Sequence, residues 1–72
     1  MTNVGWYLDQ LEDLRLEYGI EAEAEFAYQA LEECLEGQIG FDNVDPEFGE
    51  ITPVKFVNLC KRIIAKRNGE AP

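Results

Sequence analysis

VGWYLDQLEDLRLEYGIEAEAEFAYQALEECLE, residues 4–36, decides the fold. It contains no proline, and Gly19 divides it into two periodic segments. In the first, residues 4–18, Val4, Tyr7, Leu8, Leu11, Leu14 and Tyr18 fall on one face at 100° per residue, which predicts an amphipathic helix. Thr2 or Asn3 can cap its start and Gly19 suits its end. Arg15 shares the apolar face, where its stem can pack while its guanidinium reaches Glu12 or an acid on a neighbour. Trp6 and Leu16 point away from that face, among Asp9, Asp13 and Glu17.

The second segment predicts a helix over residues 20–36, stopped by Gly37. Ile20, Ala24, Ala27, Leu31, Cys34 and Leu35 form its expected inner face, with Tyr28 and Ala30 at the margins. Glu21, Glu25, Gln29, Glu32 and Glu36 make the opposite stripe, and Phe26 lies outside the apolar face near Glu33. Six glutamates and no base in this segment work against the helix, since like charges four apart repel by a few tenths of a kcal/mol per pair. A single linking glycine leaves an antiparallel helical hairpin as the expected arrangement.

Residues 37–52, GQIGFDNVDPEFGEIT, break the helical pattern with three glycines and Pro46. Such a long loop in a short chain is expected to be ordered by Ile39, Phe41, Val44, Phe48 and Ile51 tucking into the core, with room for a short strand or 3₁₀ turn. Thr52 followed by Pro53 then starts a third helix, residues 53–67, that ends at Asn68–Gly69. Phe56, Val57, Leu59, Cys60, Ile63 and Ile64 share its apolar face. Lys55, Arg62 and Lys66 line the other side, with Lys61 on a flank; residues 70–72 are expected to fray. The fold class is therefore all-α, one small three-helix domain over residues 1–72.

Charge is segregated along the chain. Residues 1–50 hold 14 acids and one base, and residues 51–72 hold five bases and one acid, for a net −9. That balance repels nucleic acid and anionic membrane as a whole. Direct nucleic-acid binding through the basic third helix is also opposed by the absence of any helix-turn-helix or RNA-binding signature. No apolar run approaches the ~20 residues of a membrane span, and the first residues lack the basic start and apolar block of a signal peptide. A cytoplasmic protein is expected.

The catalytic repertoire is thin. With no histidine and no serine, the nucleophiles other than tyrosine are Thr2, Thr52, Cys34 and Cys60, with no imidazole to activate them. The two cysteines fall on expected core faces and lack CxxC spacing, so they read as buried apolar residues. Asn43, Asp45 and Glu47 alternate like the first ligands of a calcium loop, but Phe48 and Val54 stand where that loop needs Gly and Glu. No metal site, no cofactor and no enzymatic activity are expected.

What remains is binding. The candidate partner-binding residues are Trp6, Asp9, Asp13, Glu17, Glu21, Glu25, Phe26, Glu32, Glu33 and Glu36. An aromatic anchor ringed by charge is a common form of protein-binding hot spot. Rows of carboxylates can also capture a basic or nucleic-acid-binding protein by imitating phosphates. The expected function is thus a non-enzymatic acidic module, an inhibitor or adaptor, docking a protein with a basic surface. The alternative is an assembly subunit that homo-oligomerises or packs on a larger complex through Trp6, Leu16 and Phe26.

Overall fold

The computed structural model describes residues 2–41, 44–45 and 49–69, with side chains of 44 and 45 excepted. Three helices dominate: α1 (Val4–Tyr18), α2 (Ile20–Leu35) and α3 (Pro53–Arg67). Four two-residue strands accompany them: β1 (Thr2–Asn3), β2 (Ile39–Gly40), β3 (Val44–Asp45) and β4 (Gly49–Glu50). The chain is a small all-α fold, as its periodicity predicts.

Local chemistry sets the helix ends. Asn3 caps α1, its Oδ1 accepting from the Gly5 N–H at 2.8 Å. Gly19 joins α1 to α2 with φ +100°, a conformation that a side chain disfavours, and its N–H donates to the carbonyls of Leu14 and Arg15. Thr52 caps α3 by accepting from the Lys55 N–H at 3.2 Å, with Pro53 in the first turn. α2 stops one residue short of the expected end, and Glu36 is its C-cap.

α2 lies between the other two helices and packs on both. The one-residue link makes α1 and α2 antiparallel. Arg67, in the last turn of α3, lies over the ring of Tyr28 on α2, 5.8 Å from its centroid. Lys66 in that same turn acts on Glu23, in the first turn of α2, so α3 runs antiparallel to α2. Phe56 near the start of α3 meets Tyr7 near the start of α1, ring centroids 6.1 Å apart, which gives an up-down-up bundle.

The core contains Val4, Tyr7, Leu8 and Leu11 of α1, Ala24, Ala27 and Ala30 of α2, Ile39, Ile51, and Phe56, Cys60 and Ile63 of α3. Phe41 packs against this cluster, as expected of the loop; Phe48 and the side chain of Val44 fall outside the described residues. So do residues 70–72 and, in the calcium-like alternation, Asn43, Glu47 and the side chain of Asp45. Three alanines on α2 let two flanking helices approach it closely.

Several inner-face expectations are corrected. Tyr18 is 72% exposed, Leu35 is 75% exposed and Ile20 is also exposed. All three sit at helix ends, beyond the last layer that a neighbouring helix covers. Phe26, expected outside the apolar face, is half-buried against the core, and Glu23, on no expected face, is only 5% exposed. Arg15 is exposed rather than packed. The reason lies in α2, whose buried residues are Glu23, Ala24, Ala27 and Ala30, with Cys34 half-buried one turn further on. Burial between two helices needs a wider face than the single apolar stripe implies.

The strands fasten the bundle. β1 pairs in parallel with β2, Thr2 opposite Ile39 and Asn3 opposite Gly40, and the Thr2 N–H also donates to the Gln38 carbonyl. The start of α1 is thereby tied to the segment leaving α2. β3 and β4 form a short antiparallel hairpin, Val44 opposite Glu50 and Asp45 opposite Gly49.

Candidate protein-docking surface

Trp6 leaves the buried face of α1 yet is held in place. Its ring meets Tyr7 edge-on at 5.0 Å and 90°, and Phe26 of α2 at 5.9 Å and 63°. Tyr7 and Phe26 are themselves 5.9 Å apart. Tyr7 also contacts Phe56, and Phe56 contacts Phe41 at 6.0 Å. Five aromatic rings therefore run from the surface into the core. Each edge-to-face pair contributes roughly 0.5–1.5 kcal/mol beyond simple burial. Trp6 remains 49% exposed at the outer end of this chain. An aromatic fixed by its neighbours loses little conformational freedom when a partner covers it, and this is a property of strong binding anchors.

Carboxylates surround the anchor along α1. Asp9, Asp13 and Glu17 are exposed, and Asp13 and Glu17, seven and eleven residues on, lie on the same side of the helix as Trp6. On α2, Glu21, Glu25, Glu32 and Glu36 are exposed along the outward stripe. The structure thus places Trp6 with Phe26, and presents two acidic stripes on adjacent antiparallel helices.

Glu33 differs from the other acids in that stretch. It is half-buried, and its Oε1 accepts from the Tyr7 hydroxyl at 3.1 Å. Burial pushes the Tyr7 hydroxyl pKa up, the Glu33 carboxylate pushes it further up, and a hydrogen bond with Thr2 opposes both. Glu33 thereby joins α2 to α1. Glu23 has its carboxyl pKa raised, first by burial, with Arg15 and Lys66 drawing it back down. Helical spacing carried this signal: Glu23 precedes Ala27 by four residues and Ala30 by seven, the offsets of one face.

α2 also carries charge of the wrong sign for its own dipole. Glu21 and Glu23 in its first turn suit the positive helix start, but its last turn has no base and Glu36 caps it. The acidic C-terminal turn is a local cost that helix physics alone would remove.

A second surface was not singled out by periodicity. Ile51, Lys55, Phe56, Asn58, Leu59 and Arg62 line an open groove of about 400 Å³ along α3. Lys55 is steadied at its rim by donating from Nζ to the Glu50 carbonyl at 3.2 Å. The apolar floor needs Ile51, which the β4–α3 connection brings to α3, and sequence spacing along α3 alone does not supply it.

Cys34 and Cys60 are free thiols on the facing helices α2 and α3. Burial raises both, and Cys60, fully enclosed, is pushed up to about 12 by burial and then by the charge of Cys34. Neither environment favours a thiolate. Among the described residues, no three His, Cys, Asp or Glu side chains assemble into a metal site, and no helix is long and apolar enough to cross a membrane. Compared with protein-family models, with curated proteins and with solved structures, the chain matches none.

Proposed function

We propose that this chain is a non-enzymatic binding module of the cytoplasm that docks a basic protein through the acidic outer faces of α1 and α2. The observation that carries the reading is Trp6: half-exposed, fixed by Tyr7 and Phe26, and flanked by the exposed carboxylates Asp9, Asp13 and Glu17. Charge steers the encounter and Trp6 contributes the short-range apolar contact. The unfavourable acidic end of α2 supports the same reading, because it lowers helix stability while adding to the stripe that a basic surface would meet. A nucleic-acid-handling protein fits this chemistry, with carboxylates standing in for phosphates. A second reading, an assembly subunit, is favoured by the exposure of Leu16, Tyr18, Leu35 and Val54.

The test is a nuclease-treated pull-down from host lysate, washed in parallel at low and high salt, with bound proteins identified by mass. The docking reading expects a basic partner that is released by salt, and lost when Glu21, Glu25, Glu32 and Glu36 become glutamine or when Trp6 becomes alanine. Capture that survives salt and the glutamine substitutions, but needs Leu16 or Leu35, would overturn it in favour of assembly. No salt-sensitive partner at all would also overturn it.

A further inference from the structure

The basic groove on α3 and the acidic stripe on α2 have matching spacings. Outward along α3, Lys55, Leu59, Arg62 and Lys66 follow at intervals of four, three and four residues. Backward along α2, Glu32, Tyr28, Glu25 and Glu21 follow at the same intervals. Set antiparallel, the two stripes oppose Glu32 to Lys55, Tyr28 to Leu59, Glu25 to Arg62 and Glu21 to Lys66. Gln29 then faces Asn58, so the polar positions agree as well.

Both stripes are open. Glu21, Glu25, Glu32, Lys55, Arg62 and Lys66 are exposed, and Leu59 forms part of the groove floor with Ile51 and Phe56. Tyr28 is 48% exposed, with Arg67 of its own chain over the ring. Within one molecule α2 and α3 turn other positions inward: Ala24, Ala27, Cys60 and Ile63 belong to the buried core, with Cys34 packed against it.

We propose that the groove on α3 is covered by the α2 stripe of a second copy of this chain, packed antiparallel in that register. Tyr28 enters the groove over Leu59, and three carboxylates meet three bases around it. Apolar burial at Tyr28 holds the contact and the flanking pairs select its register; exposed pairs contribute only about 0–1 kcal/mol each. The contact is one helix pair long, so association is expected to be weak and concentration-dependent. It goes beyond the partner reading and does not depend on it.

Charge reversal with re-pairing tests the register. Sedimentation velocity across a concentration series, up to the millimolar range, is run on the wild type, on Glu25→Lys/Glu32→Lys, on Lys55→Glu/Arg62→Glu, and on an equal mixture of the two variants. Far-UV circular dichroism verifies that each folds. The wild type is expected to self-associate, each variant alone to stay monomeric, and the mixture to associate again, because reversed stripe meets reversed groove. Tyr28→Ala is expected to weaken association at least tenfold. Net charge makes the opposite forecast. Two Glu→Lys reversals each change the net −9 by two units, to −5, which relieves repulsion and should promote association. Asp9→Lys/Asp13→Lys makes the same net change away from the contact and is expected to associate at least as well as the wild type.

A wild type that stays monomeric throughout overturns the proposal, as does Glu25→Lys/Glu32→Lys associating more strongly or a mixture that stays monomeric. The groove variant Lys55→Glu/Arg62→Glu leaves both acidic faces intact. Its retained capture of a basic partner, with self-association lost, separates this proposal from the docking reading.

Discussion

Replacing Glu36 with lysine is expected to stabilise the fold by about 1–2 kcal/mol at low ionic strength. Glu36 is the C-cap of α2, a helix whose last turn carries no base, and Glu32 sits four residues before it. Reversal exchanges an unfavourable charge at the negative end of the helix dipole for a favourable one, each worth roughly 0.3–1 kcal/mol and near the lower figure for an exposed group. It also turns the Glu32–Glu36 repulsion into a glutamate-to-lysine pair in the favoured orientation, roughly 0.2–0.5 kcal/mol on each side of the change. For a domain of this size that is a Tm rise of roughly 5–10 °C. Thermal melts followed by far-UV circular dichroism, at low salt and in molar salt, provide the measurement. The gain should shrink in molar salt, where the Debye length falls to about 3 Å. An unchanged or lower Tm at low salt would refute the reasoning, and a gain that persists in molar salt would show that it is not electrostatic. The same substitution should weaken capture of a basic partner, so stability and binding move in opposite directions.

Other substitutions probe the interior. Phe56→Ala, at a fully buried ring touching Tyr7 and Phe41, should cost about 3–5 kcal/mol and shift urea unfolding accordingly; a loss under about 1.5 kcal/mol would contradict its central place in the core. Tyr7→Phe removes the hydroxyl that Glu33 accepts and should cost about 1–3 kcal/mol, with a neutral result showing that the bond contributes nothing net. Glu23→Gln tests a carboxyl whose folded-state pKa is raised above its ordinary value of 4.5. Its contribution is fully present below that value and lost as pH rises through the folded-state pKa. The glutamine variant should therefore match the wild type in acid and exceed it at neutral pH; equal stability at both would overturn the assignment. Alkylation mapped by mass should modify half-buried Cys34 before Cys60, whose thiol is pushed up to about 12, until the chain unfolds; equal rates in the native state would contradict the burial of Cys60.

Punctuation and periodicity made the helices legible. Gly19 and the Thr52–Pro53 pair each announce a local backbone event and perform it, and of the two cap candidates Thr2 and Asn3 it is Asn3 that caps α1. What periodicity could not convey was how far around each helix its neighbours would reach. A hydropathy stripe on α2 runs through Leu31 and Leu35, yet burial extends to Glu23 because alanines admit a helix on either side. The pairing of Thr2–Asn3 with Ile39–Gly40 links residues 37 apart in sequence, and no local signal specifies such a partner. Among the candidate site residues, the exposure of the acids on α1 and α2 followed from amphipathicity. The seating of Trp6 on Phe26 required knowing how the two helices dock. Glu33 looked like part of the acidic surface, but its hydrogen bond with Tyr7 is a tertiary matter.

The row of rings from Trp6 to Phe41 makes the molecule its own optical reporter. Trp6 is the chain's one tryptophan, so its emission comes from a single known place. That indole has one side in solvent and its other side against Tyr7 and Phe26. Covering the open side should blue-shift the emission, while separating α1 from α2 should red-shift it. Docking and unfolding thus move the same signal in opposite directions, and unlabelled protein can be titrated and denatured in one cuvette with the two events told apart by colour.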